Sequence, residues 1–75
     1  MAIKYFKLLD MLNKKSISKG ELQRMAGFSS ATMAKISSHD LIALKVVNDI
    51  CKALNCQPGD IMEYVTEGDS LNDND

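Results

Sequence analysis

Histidine and cysteine, the side chains most often used as zinc ligands, are few in this sequence of 75 residues, which has one histidine and two cysteines. His39, Cys51 and Cys56 could suggest zinc, but they lack the Cys-x-x-Cys pair typical of zinc sites, and Cys51 falls on the apolar stripe of a predicted helix. Asp60 and Glu63 lie at a predicted helix start. Carboxylates at this position more often interact with the positive end of the helix dipole than take part in acid–base catalysis. The sequence therefore predicts no enzyme, no metal site and no cofactor.

Positively charged side chains, which could bind a negatively charged partner, are concentrated in the first half of the chain. Residues 1–40 carry seven lysine or arginine residues against three acidic ones, a net charge of +4. Residues 41–75 carry two against seven, a net charge of −5. Clustered cations attract phosphate, so the first half is suited to bind nucleic acid, although an ordinary solvated surface would show part of the same pattern.

The elements that would position these cations begin with a tight corner between two short helices. Ser18 and Glu21 have the spacing of a capping box, which predicts a helix start at Ser18. Gly27 is suited to end that helix in the left-handed conformation, and Ser29 is suited to cap a second helix over about residues 30–37. Such a corner is typical of a DNA-binding helix-turn-helix, and the alternative is a helix pair that only packs.

Hydrophobic periodicity predicts three further helices. One spans residues 4–14 and another runs from residue 41 or 43 to residue 54, each with apolar residues recurring at intervals of three and four. The buried stripes predicted for these two helices are Tyr5, Leu8, Leu9 and Leu12 on the first and Leu44, Val47, Ile50, Cys51 and Leu54 on the second. A short last helix should begin at Pro58, which suits the first helical position. Residues 67–75 are polar and acidic, so we expect a flexible, disordered tail after a single helix-turn-helix domain at residues 1–66. Neither a membrane span nor a signal peptide is evident, so a cytoplasmic protein is expected.

Three segments carry a resemblance to a known family: the corner Ala26-Gly27-Phe28-Ser29, the run from Ile50 to Cys56, and Asp60-Ile61-Met62-Glu63. They resemble the helix-turn-helix regulators of the phage Cro and repressor type, also called the xenobiotic-response-element family, over about residues 3–65. The resemblance implies an all-α, lambda-repressor-like domain of five helices. It also implies binding to double-stranded DNA and regulation of transcription, with repression as our expectation.

In the resembling family, the second helix of the motif enters the major groove and its first turn faces base edges. Lysine can donate to guanine, serine can bond either kind of base, and alanine can only touch a thymine methyl, so sequence discrimination should be modest. The base-facing candidates, carried over by position, are Ser30, Ala31, Ala34 and Lys35.

Hydroxyl and cationic side chains near the two helix starts are candidates for phosphate contacts, because backbone amides there also face anions. Capping is the expected role of Ser29, whereas capping and phosphate binding both stay open for Ser38. If discrimination between sequences is not modest, it should borrow from DNA shape and from the loop Ser37-Ser38-His39. The full set of these candidates is Lys19, Arg24, Ser29, Thr32, Ser38 and His39.

A domain of this size is only marginally stable alone, so we expect a homodimer on a two-fold operator. The segment after the core helices alternates apolar and polar residues that would otherwise be exposed. The predicted interface consists of Ile3, Ile61, Met62, Tyr64 and Val65.

The main alternative to a DNA-binding regulator is a protein-interaction module, such as an antitoxin-like adaptor that keeps the fold but binds DNA weakly. The poor set of base-facing side chains favours this alternative, whereas the net charge of +4 in the first half favours DNA. No small-molecule ligand is evident.

Overall fold

A computed structural model describes residues 2–66 and places four α-helices between two short strands that pair with each other. The fold is therefore mostly helical, as predicted, but it contains a small sheet that was not predicted. In chain order the elements are β1 (Ala2–Lys4), α1 (Phe6–Lys14), α2 (Lys19–Ala26), α3 (Ser30–Ser37), α4 (Leu44–Leu54), a 3-10 helix (Pro58–Asp60) and β2 (Glu63–Val65).

The first strand occupies residues that the sequence assigned to a helix. β1 pairs antiparallel with β2, so that Ala2 lies opposite Val65, Ile3 opposite Tyr64 and Lys4 opposite Glu63. The predicted helix start at residue 4 is therefore wrong, and α1 begins at Phe6. Three residues are too few to show a strand period, and the pairing depends on a partner about 60 residues away.

The predicted fifth helix is only a three-residue 3-10 turn. Its start is capped by Asp60, whose carboxylate accepts from the amide of Gln57 at 2.9 Å. The turn is followed at once by Ile61, which is fully buried, and then by β2. The expectation of five α-helices is therefore wrong, because the chain must turn back here to bring β2 beside β1. The predicted tail, residues 67–75, lies outside the described residues.

One apolar core joins all four helices and the segment after them. The predicted stripe of α1 is confirmed at Leu8 and Leu12, but on α4 the predicted core residue Leu44 is 79% exposed. Leu44 lies on the same face of α4 as the buried Val47, but it is the first residue of the helix, one turn beyond the part of that face that the core covers. None of the helices in residues 2–66 is long and apolar enough to cross a bilayer. The buried residues are Tyr5, Leu8, Leu12, Leu22, Met33, Ile36, Val47, Ile50, Leu54 and Ile61.

Candidate nucleic-acid interface

The capping box that the sequence predicts at the start of α2 is confirmed. The amide of Glu21 donates to Ser18 Oγ at 3.0 Å, and the amide of Ser18 donates to Glu21 Oε1 at 2.8 Å. The hydrogen bond from the Ser18 backbone, with help from the Ser18 side chain, lowers the pKa of the Glu21 carboxyl below its ordinary value. These bonds set where α2 begins, and with it the direction of the first helix of the motif.

The corner between α2 and α3 consists of three residues, as predicted. Gly27 ends α2 in the left-handed conformation, with φ of 81°, and its amide donates to Gln23 O at 2.8 Å. Ser29 caps α3, since its Oγ accepts from the amide of Thr32 at 3.2 Å. The two hydroxyls of Ser29 and Thr32 also lie 3.2 Å apart. The expected capping role of Ser29 is thus confirmed, and the corner sets the angle at which α3 leaves α2.

α3 has one buried and one exposed face. Met33 and Ile36 anchor it in the core, with 5% and 0% of their surface exposed. Because the helix period is 3.6 residues, the side chains between these anchors point away from the core. All four predicted base-facing residues are exposed on α3: Ser30, Ala31, Ala34 and Lys35.

Two of the predicted phosphate-binding side chains make hydrogen bonds within the motif, and one of them joins α2 to α3. Lys19 Nζ, at the start of α2, donates to the Oγ of Ser37 at the end of α3, over 3.1 Å. Ser38 Oγ donates to Ala34 O at 2.9 Å, so this hydroxyl satisfies a carbonyl at the end of α3. The sequence left two roles open for Ser38, and capping is the one that the structure shows.

The cations of the motif are exposed and take part in none of the ion pairs found among residues 2–66. The ion pairs found among residues 2–66 join Lys7 to Glu63, Lys14 to Asp10 and Lys45 to Asp49. In the same part of the chain, no ion pair engages the exposed side chains of Lys19, Arg24 or Lys35. Lys4, Lys15 and Lys52 also make no ion pair within residues 2–66. Lys19 and Lys35 have no paired carboxylate there, whereas the charge of Arg24 acts on the nearby Glu21 carboxyl. All three cations of the motif are exposed and can interact with phosphates.

His39 is bound to the start of α1, which the sequence did not predict. Its Nδ1 accepts from the backbone amide of Tyr5 at 3.0 Å, and its ring lies parallel to the Tyr5 ring, with centroids 6.0 Å apart. The ring of Phe6 covers it at 4.4 Å. The structure therefore gives His39 a role in joining α1 to the loop after α3, whereas its predicted contact with DNA stays a prediction.

The three residues considered for zinc do not come together. His39 is held against α1, while Cys51 and Cys56 lie at the end of α4. Across the part of the chain that the structure describes, no group of three or more histidine, cysteine or acidic residues could hold a metal ion.

The predicted dimer residues differ widely in exposure. Ile61 is fully buried in the core, so the expectation that it would be exposed for a partner is wrong. Ile3 and Met62 are partly buried against the core, Val65 is half-buried, and Tyr64 is 59% exposed. Among these five, Tyr64 has the most surface to offer a second subunit.

Comparison with known proteins assigns this helix-turn-helix to a family. Residues 7–67 match the family described as the Cro/C1-type HTH DNA-binding domain. The chain is 40% identical over 62 residues to the uncharacterized HTH-type transcriptional regulator YozG of Bacillus subtilis (strain 168), which covers 80% of this chain and 74% of that protein. It is also similar to the crystal structure of the transcriptional regulator VanUg, with a TM-score of 0.84, 38% identity and 88% of both chains covered. The chain therefore belongs to the Cro/C1-type helix-turn-helix family, and the resemblance predicted from the sequence is confirmed.

Proposed function

We propose that this DNA-binding transcriptional regulator reads the major groove with the exposed face of α3. The observation that carries this proposal is the position of Lys35, which is exposed on α3 between the buried anchors Met33 and Ile36 and is not neutralised by an ion pair within residues 2–66. A lysine in this position can donate to the O6 and N7 atoms of guanine. Ser30 would bond to either kind of base, and Ala31 and Ala34 would contact thymine methyls.

Contacts with DNA phosphates would fix the position and orientation of the domain on the duplex. Lys19 and Arg24 on α2 supply exposed cations, and Lys19 is close to the end of α3 because of its bond to Ser37. Ser29 and Thr32 lie at the start of α3, where backbone amides and the positive end of the helix dipole favour an anion. We propose that Ser38 and His39 contact DNA from the loop after α3, in addition to the bonds they already make.

The small set of base-reading groups suggests that one domain discriminates only modestly between sequences. We propose that a homodimer on a two-fold operator overcomes this limit, because two half-sites double the number of contacts. The interface would use the sheet, with Tyr64 at its centre and Ile3, Met62 and Val65 beside it. Ile61 would support this surface only from within the core.

We propose that the protein acts as a repressor in the cytoplasm. The structure describes one DNA-binding domain in residues 2–66, and a domain bound within a promoter can block transcription by occupancy alone. The related proteins named above as transcriptional regulators are consistent with a role in transcription.

The test is a fluorescence anisotropy titration with DNA from upstream of the gene for this protein and with random DNA, at several salt concentrations. Lys35→Ala should weaken binding mainly to the specific DNA, by roughly 1 to 3 kcal/mol. Lys19→Ala should weaken binding to both DNAs and reduce the salt slope by about one unit, because one phosphate contact is lost. Lys52→Ala removes the same charge from the acidic half of the chain, and it should bind like the parent.

A protein-interaction module remains the second candidate, and the chemistry of α3 favours it. Two of its four exposed groove-facing side chains are alanines, which cannot form hydrogen bonds with bases. Absence of salt-dependent DNA binding by the parent would favour this candidate and contradict the regulator proposal. Equal binding by the parent and both lysine variants would contradict the assignment of α3 as the recognition helix.

A further inference from the structure

The two cysteines are brought together by the way α4 ends. Asn55 adopts the left-handed conformation, with φ of 54°, and the chain reverses after it. The amide of Cys56 then donates to the carbonyl oxygen of Cys51 at 3.0 Å. This is the long hydrogen bond of a Schellman motif, in which the side chain after the helix often packs against the side chain five residues earlier. In this chain those two positions hold Cys56 and Cys51, and their thiols interact through a side-chain hydrogen bond.

The thiols are also accessible. Both cysteines are half-buried, and both line one open surface groove together with Leu44, Val47 and Pro58. Burial raises the pKa of the Cys56 thiol, and so do the charge of Cys51 and a side-chain hydrogen bond with it. Cys56 thus tends to keep its proton and to donate it towards the sulfur of Cys51.

We propose that Cys51 and Cys56 form a dithiol site that a hydroperoxide oxidises to an intramolecular disulfide. In the first step the Cys51 thiol gives up its proton and its sulfur attacks the peroxide, so that the O–O bond breaks and Cys51 becomes a sulfenic acid. The alkoxide or hydroxide that leaves takes up that proton and departs as an alcohol or water. In the second step the sulfur of Cys56 attacks the sulfur of Cys51, and hydroxide leaves with the Cys56 proton as water. The two thiols lose two electrons in total, and the peroxide gains them.

The fold can accept this bond with little movement. Disulfides join residues whose Cα atoms lie about 4.4 to 6.8 Å apart, and the backbone hydrogen bond between Cys56 and Cys51 holds the two residues close. The bond would fix the end of α4 to the segment that leads into the 3-10 helix and β2. Disulfides in a reducing compartment are usually transient and serve as sensors, so reversibility is part of the proposal.

The direct test treats the reduced full chain with hydrogen peroxide, blocks remaining thiols with iodoacetamide, and measures intact and peptide masses. We expect a mass lower by two hydrogen atoms, no alkylated cysteine, and full reversal by dithiothreitol. Trypsin cleaves after Lys52, so the disulfide should join two peptides that separate on reduction. Two alkylated cysteines after treatment, or disulfides only between separate chains, would overturn the proposal.

Single variants test the order of the steps. Cys56→Ala should accumulate a sulfenic acid on Cys51 that dimedone labels, whereas Cys51→Ala should give much less label on Cys56. Equal labelling of both variants would overturn the assignment of Cys51 as the attacking thiol. Circular dichroism of each variant checks that the fold survives, and Cys56→Ser or Cys51→Ser replaces any alanine variant that unfolds.

Discussion

The backbone amide of Tyr5 donates to Nδ1 of His39 over 3.0 Å, and this bond joins the start of α1 to the loop that follows α3. The same tyrosine donates its hydroxyl to the carbonyl oxygen of Asp40 at 2.6 Å. Tyr5 is 1% exposed, and burial raises the pKa of its phenol above the ordinary value. Two consecutive residues of the loop are thus held by one buried side chain and its backbone, which limits the movement of the end of α3.

Removal of the His39 side chain should destabilise the domain. His39→Ala loses the acceptor for the Tyr5 amide, and alanine tolerates the φ of 60° at this position less well than histidine does. We expect a loss of about 1 to 3 kcal/mol, measured by urea unfolding.

His39→Asn is the matched variant, because asparagine tolerates the left-handed region and carries an acceptor on its side chain. It should recover part of the lost stability. A stable His39→Asn protein that binds DNA more weakly would support the predicted contact of His39 with DNA. An alanine variant as stable as the parent would contradict the structural role.

The part of the fold that could be predicted from the sequence is the part set by local signals. The capping box of Ser18 and Glu21, the stop at Gly27 and the cap at Ser29 each act within four residues, and all were confirmed. The exposed face of α3 followed from the same boundaries, since the helix period fixes which residues lie opposite Met33 and Ile36.

The contacts that could not be predicted join residues far apart in the chain. The pairing of β1 with β2 depends on residues about 60 positions apart, and each strand is too short to show its period. The bond between Tyr5 and His39 spans 34 positions, and that between Lys19 and Ser37 spans 18. The burial of Ile61 could not be predicted either, because an alternation of apolar and polar residues does not reveal which of the apolar ones enters the core.

Gly27→Ala should destabilise the corner through its backbone alone. Nothing lies within 4 Å of the position that a Cβ would occupy, so the cost arises from the φ of 81°. We expect a loss of about 1 to 2 kcal/mol in chemical unfolding. Gly59→Ala is the control, because it too meets open space and its φ is outside the left-handed region; it should change stability by less than about 0.5 kcal/mol. Equal effects of the two substitutions would contradict the argument from φ.

Ser18→Ala should weaken α2 by removing the oxygen that accepts from the Glu21 amide at 3.0 Å. The expected loss of stability is about 1 kcal/mol, typical of a lost helix cap. Ser30→Ala is a suitable control because this exposed serine at the start of α3 makes no side-chain hydrogen bond within residues 2–66. Thermal unfolding of the three proteins measures the difference, and a Ser18→Ala protein with the transition of the parent would contradict the role of the cap.

Glu21→Gln should alter the pH dependence of stability. The carboxyl of Glu21 has a lowered pKa in the folded protein, so its ionised form stabilises the fold above the pKa of the unfolded chain. That contribution is lost as the pH falls through the lower folded pKa. Glutamine can keep the hydrogen bond of the capping box without the charge. The difference between parent and variant should be constant above about pH 6 and shrink below about pH 4, as followed by urea unfolding. A difference that does not change with pH would exclude a role for the charge.

The sheet should be the surface through which two subunits associate. Tyr64 lies opposite Ile3 on the two-stranded sheet and is 59% exposed, so Tyr64→Asp places a charge in the proposed interface without disturbing the core. Light scattering should show a dimer for the parent and a monomer for this variant. Leu44→Asp is the matched control, since Leu44 is 79% exposed at the start of α4, and it should remain dimeric.

Ile61→Ala is unsuitable for this purpose, because loss of a buried isoleucine costs about 2 to 5 kcal/mol and would unfold part of the population. A dimeric Tyr64→Asp protein together with a monomeric Leu44→Asp protein would place the interface near α4 instead, and a monomeric parent would refute the homodimer.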